Sequence, residues 1–261
     1  MSKKSILITN DDGFWSKGLH ALAEALRSEY LVTVVAPTTE KSACGHSLTL
    51  TRPLNFIEID DDFFKLDDGT PTDCVFLALN KLFSEDKKPD LVISGINKGA
   101  NMGEDITYSG TASAAMEAVL QGIPAIAISQ VCIDKCQNID TFGYELAQQS
   151  ILELTRMVFS GGFPLPPRKF LNVNIPPIKP DECKGFKVTR AGNRVYGNDA
   201  RVHHNPRGVE YYWIGLPRLD WLDTEGHITD FEATNQQFVS ITPVHLDMTS
   251  YDDIELLEKW I

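Results

Sequence analysis

The chain has 261 residues, 43% hydrophobic and 23% charged, with a formal net charge of -12 at pH 7. This is ordinary globular composition, long enough for one large α/β domain with a full core, and the acidic balance excludes nonspecific binding of duplex nucleic acid through a basic surface. No apolar stretch reaches membrane-spanning length, no signal-peptide cleavage site follows Met1-Ser2-Lys3-Lys4, and the five cysteines, odd in number and irregularly spaced, fit a reduced cytoplasm better than a disulfide framework.

Ile6, Leu7 and Ile8 form a continuous apolar run, as in a parallel strand buried on both faces. Asn10, Asp11, Asp12 and Gly13 follow at its carboxyl end. Leu19, Leu22, Ala23 and Leu26 then recur at helical spacing, and Leu31 to Ala36 reads as a second strand stopped by Pro37. Strand, helix and strand at this spacing make a βαβ unit.

Phe56 to Ile59 reads as another short strand. Thr70 is placed as a helix N-cap, with Pro71 at the first helical position and Asp73 at the third; helical periodicity continues from Cys74 to Phe83. Asp90 to Ser94 reads as a buried strand, Gly110 to Leu120 as a helix rich in small residues and ended by Gly122, and Ala125 to Ser129 as another buried strand. Ile139 to Phe159 reads as a long helix ended by Gly161-Gly162.

The pattern changes near Pro164. Phe170 to Ile175, Phe186 to Arg190, Val209 to Ile214 and Phe238 to Thr242 are strand-like without intervening helices, which predicts hairpins or an antiparallel extension, with residues 160 to 168 as a linking segment. Tyr251 to Trp260 closes the chain as a helix. The expected fold class is therefore α/β: a mostly parallel sheet flanked by helices, with a C-terminal β-hairpin extension.

Four segments carry chemistry. Asp11 and Asp12 sit where open α/β sheets bind ligands, beyond the carboxyl ends of the strands. Gly13 permits a turn that converges the two carboxylates, which repel unless a cation lies between them; a hard divalent ion suits them, and an Asx-turn is the competing reading. Ser42 to Thr49 offers the Ser42 hydroxyl and the His46 imidazole, the latter either an acid-base group or a locally bonded loop residue. No G-x-S-x-G elbow surrounds Ser42.

Ser94 to Gly103 spaces Gly95, Gly99 and Gly103 at intervals of four and includes Asn97 and Asn101. Asn97 supplies a neutral oxygen ligand, or the loop merely uses Asn and Gly for its turns. Ser109, Gly110 and Thr111 open a helix and form either an anion site or a plain N-cap. Cys132 and Cys136 lack a second Cys/His pair and are not assigned to a metal. Oxygen ligands beside an anion site fit metal-assisted phosphate chemistry.

Ile8 to Gly13, Ser42 to Thr49, Ser94 to Gly103 and Tyr108 to Thr111, supported by Gly69 to Val75 and Val239 to Pro243, resemble the SurE family of metal-dependent nucleoside monophosphatases. The resemblance spans nearly the whole chain. It implies a Rossmann-like core and 5′- and 3′-nucleotidase activity on nucleoside monophosphates. It implies one divalent metal ion per subunit, Mg²⁺ or Mn²⁺, held by Asp11, Asp12, Ser42 and Asn97, with Asp11 and Asp12 as catalytic residues. Phosphate binding carries over to Asn101, Ser109, Gly110 and Thr111.

A single SurE-like domain over residues 1 to 261 is expected, with the active-site core in about 1 to 160 and the remaining strands, an oligomerisation hairpin and the terminal helix in about 161 to 261. The resemblance further implies a homodimer or homotetramer with exchanged C-terminal segments. The run Tyr211-Tyr212-Trp213-Ile214, poorly covered by helices, points to the same exchange. A cytoplasmic enzyme, bound to neither membrane nor duplex nucleic acid, is expected. The rival readings are another phosphate-handling α/β enzyme, such as a sugar-nucleotide transferase, and a nucleotide-binding regulator without turnover.

Overall fold

The first strand, β1 (Ser5–Thr9), sets the layering of the molecule. Successive side chains of a strand point to opposite faces, so Ile6 and Ile8 enter one buried cluster and Leu7 another. The structure is a computed structural model and describes residues 3–133, 136, 139, 141, 143–196, 200–215, 220–222 and 225–261.

After β1 come α1 (Lys17–Arg27), β2 (Leu31–Pro37), β3 (Phe56–Asp60), β4 (Phe63–Leu66) and α2 (Pro71–Leu77), which runs into a π-helical turn at Ala78–Leu82. Next are β5 (Leu91–Lys98), α3 (Gly110–Leu120), β6 (Ala125–Gln130), α4 (Glu145–Gly161) and β7 (Lys169–Ile175). The remainder holds β8 (Phe186–Val188), β9 (Asn193–Arg194), β10 (Ala200–His204), β11 (Glu210–Ile214), β12 (Trp221–Leu222), α5 (Asp230–Asn235), β13 (Val239–His245) and α6 (Ile254–Trp260).

Nine strands form one sheet in the order β3-β4-β2-β1-β5-β6-β7-β13-β8. The central pairs β2-β1, β1-β5, β5-β6 and β6-β7 are all parallel. One face is covered by α1 and α4, through Leu19, Leu22, Leu146 and Ile151. The other is covered by α2 and α3, through Val75, Ala112, Ala115 and Ala118. The small residues of α3 let that helix lie close to the sheet.

The helix start at Thr70 is as expected. Its side chain accepts from the Asp73 amide, and Asp73 accepts from the Thr70 amide, closing a capping box. Among the described residues no helix is long and apolar enough to cross a membrane.

The structure changes several expectations. β5 does not stop at Ser94. It continues through Asn97 to Lys98 with an irregularity between Ser94 and Asn97, so the predicted loop begins inside the sheet. β7 is parallel to β6 and extends the core sheet across residues 160 to 168. The antiparallel partner of β7 is β13, and β8 is parallel to β13.

Pro243 lies within β13 but beyond the residues that pair with β8, so its missing N–H faces no ladder on that side. The short pair β9-β12 and the hairpin β10-β11 form separate two-stranded sheets. Helix α4 begins at Glu145; part of the preceding predicted turn, residues 140 and 142, lies outside the described residues. The thiols are also corrected. Cys132 and Cys136 form a disulfide, with Cα atoms 4.4 Å apart, while Cys44, Cys74 and Cys183 are free. A bridge across four positions is local and needs no wider framework.

Candidate active site

The chain moves from β1 to β2 on one side and returns on the other side of β1 as β5. This reversal opens a crevice at the carboxyl ends of β1 and β5. Asn10 closes the turn there: its side-chain amide donates to Gly13 O at 3.0 Å and to Ser16 Oγ at 2.7 Å, and Ser16 caps α1. The Asx-type turn and the converging carboxylates therefore coexist, with Asn10 serving the turn and Asp11 and Asp12 left for the crevice.

Asp11 is buried. Its Oδ2 accepts from the Thr111 amide at 3.0 Å and its Oδ1 from the Thr111 hydroxyl at 2.6 Å. Asp12 Oδ2 accepts from the Lys98 amide at 2.9 Å, next to Asn97. The Lys41 amide donates to the Asp11 carbonyl at 2.7 Å and brings the Ser42 segment to the same place. Gly110 fits closely: a Cβ there would lie 2.8 Å from Asp11 Cβ and 3.0 Å from Cys44 Sγ.

Asp11, Asp12, Asn97, Gly110 and Thr111 are thus assembled from the ends of β1 and β5 and the start of α3. The Ser42 hydroxyl is turned to Glu40 Oε1 at 2.7 Å. Asn97 Nδ2 donates to Gly99 O at 3.0 Å, leaving its carbonyl oxygen available as a ligand. Ser109 is buried and caps α3 by accepting from the Ala112 amide, which leaves its own O–H free to donate.

Asn101 is bonded to β6 and β7. Its Nδ2 donates to Ser129 Oγ at 2.8 Å, its amide donates to Asn174 Oδ1, and its carbonyl accepts from Asn172 and Asn174. Asn172 and Asn174 alternate with apolar residues on a buried strand. Buried polar groups at such positions must be satisfied internally, and this was the available sequence signal for their role in clamping the loop.

Two further residues escaped the sequence reading. Glu40 lies close enough to raise the pKa of both Asp11 and Asp12. Glu117 holds His46 Nε2 at 3.0 Å, so His46 ties its loop to α3 across the fold. Burial pushes Glu117 up, but the hydrogen bonds from His46 and Gln121 leave it below the usual carboxylate range. Thr49 is fixed similarly, by Asp73 on α2 at 2.9 and 2.6 Å.

The electrostatics fit a cation. Burial raises the Asp11 carboxyl against the Thr111 hydrogen bonds. Burial and then the neighbouring Asp11 push Asp12 up to about 6. Among the described residues their hydrogen bonds come from backbone amides and a hydroxyl, none from a cationic side chain. The candidate donors, two carboxylates, a hydroxyl and an amide oxygen, are all hard oxygen ligands suited to Mg²⁺ or Mn²⁺. Burial and then Asp11 push the nearby Cys44 thiol up to about 11, so it remains protonated at neutral pH and is no competing thiolate.

A pH-dependent stability follows. A carboxyl with a folded pKa of about 6 and an ordinary value of 3.8 binds its proton more readily in the folded state, so its ionised form costs stability above pH 6. In chelator, Asp12→Asn melts above the parent by roughly 3 °C or more at pH 8. The advantage shrinks as pH falls from 6 toward 4. Paired melting curves check this, and an equal or lower Tm for the variant at pH 8 would contradict it.

Comparisons with known proteins show what the chain is similar to. A family model described as Survival protein SurE matches residues 6–198. The chain is 70% identical over 262 residues to the 5′-nucleotidase SurE of Sulfurovum sp. (strain NBC37-1), covering 100% of this chain and 99% of that protein. It is 62% identical to the 5′-nucleotidase SurE of Aliarcobacter butzleri, covering 99% of each. The crystal structure of the Sure protein from Aquifex aeolicus aligns with a TM-score of 0.83 at 43% identity, covering 98% of this chain and 99% of that one.

Proposed function

The chain belongs to the SurE family, and from that membership and its crevice we propose a metal-dependent phosphomonoesterase that cleaves nucleoside 5′- and 3′-monophosphates to nucleoside and phosphate. The observation that carries the reading is the pair of carboxylates at the strand reversal, held by neutral donors beside a helix start.

Asp11, Asp12, Ser42 and Asn97 are the residues that would hold one divalent ion per subunit, Mg²⁺ or Mn²⁺. When bound, such an ion neutralises charge on the phosphate oxygens and favours attack by water. Asp11 and Asp12 orient the reacting groups through this site.

The chain's own donors take the rest of the phosphate. The Thr111 amide is committed to Asp11 and the Ala112 amide to Ser109. The Gly110 amide is the helix-start N–H without a hydrogen-bond partner among the described residues, at the positive end of the α3 dipole. Ser109 adds its O–H, and Asn101 has a second amide hydrogen to donate. Thr111, by donating twice to Asp11, fixes the carboxylate in place.

Phosphate release from adenosine or guanosine monophosphate, with and without chelator, tests the reading and separates it from a sugar-nucleotide transferase or a non-catalytic regulator. Release is expected only with divalent cation, and inorganic phosphate or vanadate inhibits competitively. Release unchanged in chelator would refute the metal, and noncompetitive inhibition would refute the phosphate placement.

The organisation proposed with this function is one domain over residues 1 to 261, cytoplasmic, assembled as a homodimer or homotetramer. Tyr211, Tyr212, Trp213 and Ile214 are 44%, 64%, 62% and 92% exposed on an isolated hairpin. Such a surface is better covered by a neighbouring subunit, with residues from about 207 to 246 reaching across. Light scattering at micromolar concentration is expected to give at least twice the 29.1 kDa chain mass; the monomer mass would refute the assembly.

A further inference from the structure

One cluster beside the phosphate-binding helix has no part in the chemistry above. The 3₁₀ turn Gly103–Thr107 ends at Tyr108, the residue before Ser109. Segment 192–196, which comes from the other half of the chain, is fastened onto this turn.

Asp230, buried at the start of α5, accepts from the Gly103 amide at 2.8 Å and from the Gly192 amide at 3.0 Å. The Arg194 amide donates to Glu104 Oε2 at 2.6 Å, and its guanidinium is paired with the Asp105 carboxylate. The Tyr196 hydroxyl donates to Asp105 Oδ1 at 3.0 Å, and the Arg194 guanidinium lies 5.4 Å from the Tyr196 ring centroid. Gly103 is needed for the approach, since a Cβ there would lie 2.4 Å from Gly192 O.

These tethers hold two rings in the open. Tyr108 is 59% exposed and Tyr196 46% exposed. The Tyr108 amide donates to the Asp105 carbonyl at 3.0 Å, so both tyrosines are anchored on Asp105. A large apolar ring left exposed yet fixed by a buried carboxylate and a paired arginine resembles a contact surface more than a packing residue.

We propose that Tyr108 and Tyr196 form a stacking platform for the nucleobase of the substrate, with Asp105 and Arg194 as positioning residues that hold Tyr196 in place. The inference rests on the nucleotidase reading above. A phosphate at Ser109 to Thr111 leaves its base one ribose away, and Tyr108 directly precedes Ser109, the N-cap of α3. Stacking uses the π-face that every base presents and is tolerant of sequence. The platform therefore accepts purines and pyrimidines alike and favours a nucleotide over the same sugar phosphate without a base.

The test compares adenosine 5′-monophosphate with ribose 5-phosphate on the full-length protein loaded with Mn²⁺. Turnover of the nucleotide by the parent protein checks the nucleotidase reading separately. The parent is expected to favour the nucleotide by ~10-fold or more in kcat/KM, as one stacked base supplies. Tyr108→Ala and Tyr196→Ala each cut that preference several-fold, chiefly through KM for the nucleotide, and Tyr108→Phe retains it.

Equal kcat/KM for both substrates in the parent would overturn the platform. A preference that survives both alanine variants would overturn it too, as would equal losses on both substrates, which mark a purely structural role. Loss of the preference in Trp15→Ala alone would place the base on Trp15, which lies three residues beyond Asp12 and is 75% exposed, and would also overturn the proposal. If an alanine variant does not fold, the Tyr→Leu variants are measured against the same ratio.

Discussion

Asp11→Asn and Asp12→Asn are each expected to lose phosphatase activity by on the order of 10³-fold at saturating Mg²⁺ or Mn²⁺. The fold should persist in both. An asparagine at position 11 keeps a carbonyl oxygen for the Thr111 amide, and its NH₂ can donate to the Thr111 hydroxyl, which reverses its role. At position 12 it keeps an acceptor for the Lys98 amide. What disappears is negative charge at the crevice, and with it the attraction for a divalent ion. Circular dichroism and Tm establish that each variant is folded, and phosphate release under saturating metal gives the loss. Parent-level turnover in either variant would remove that carboxylate from the mechanism.

Gly18→Ala is expected to cost about 3 kcal/mol or more and to lower Tm by roughly 10 °C. A glycine inside a solvent-facing helix would give the opposite result, because alanine is the better helix former by about 1 kcal/mol. Gly18 differs because α1 lies directly on the sheet: a Cβ there would sit 2.0 Å from Ile96 O and 3.3 Å from Tyr144 Cζ. Either α1 or β5 must move, and Asn97 follows Ile96, so the divalent-ion requirement should rise together with the fall in Tm. A melting curve equal to or above the parent's would show that the approach is looser than the structure has it.

The core sheet was legible because its strands are buried on both faces. Ile6 to Ile8, Val34 to Ala36 and Ala125 to Ser129 are buried runs, mostly apolar, that admit little else. Thr70-Pro71-Thr72-Asp73 declared its own capping box. Other features depend on neighbours that are distant in sequence. Nothing local in Phe63 to Leu66 marks it as the strand that pairs with β2. β7 reads like a hairpin strand, and only its position beside β6 makes it part of the parallel core.

The site divides in the same way. Asp11, Asp12 and Gly110 stand in short motifs whose residue types carry the chemistry. Glu40, Glu117, Asn172 and Asn174 act on those motifs through space. The double donation from Thr111 to Asp11 joins positions 100 residues apart. Sequence reading placed Thr111 on the phosphate side, and no spacing rule could have supplied that contact to the carboxylate.

The position of β13 bears on how this protein can be shortened or recombined. β13 enters late in the chain yet lies between β7 and β8, and Asp230 just ahead of it clasps the loop that leads to the phosphate-binding helix. A fragment ending at residue 198, where the family match stops, would keep every metal-ligand candidate and still have a bare β7 edge and two backbone amides without their carboxylate. Exposed edges of that kind pair with other chains, so such a fragment should precipitate before it could be assayed. For chimeras between relatives, the safer crossover lies in a surface turn such as Gly161-Gly162, with β7, α5 and β13 inherited together.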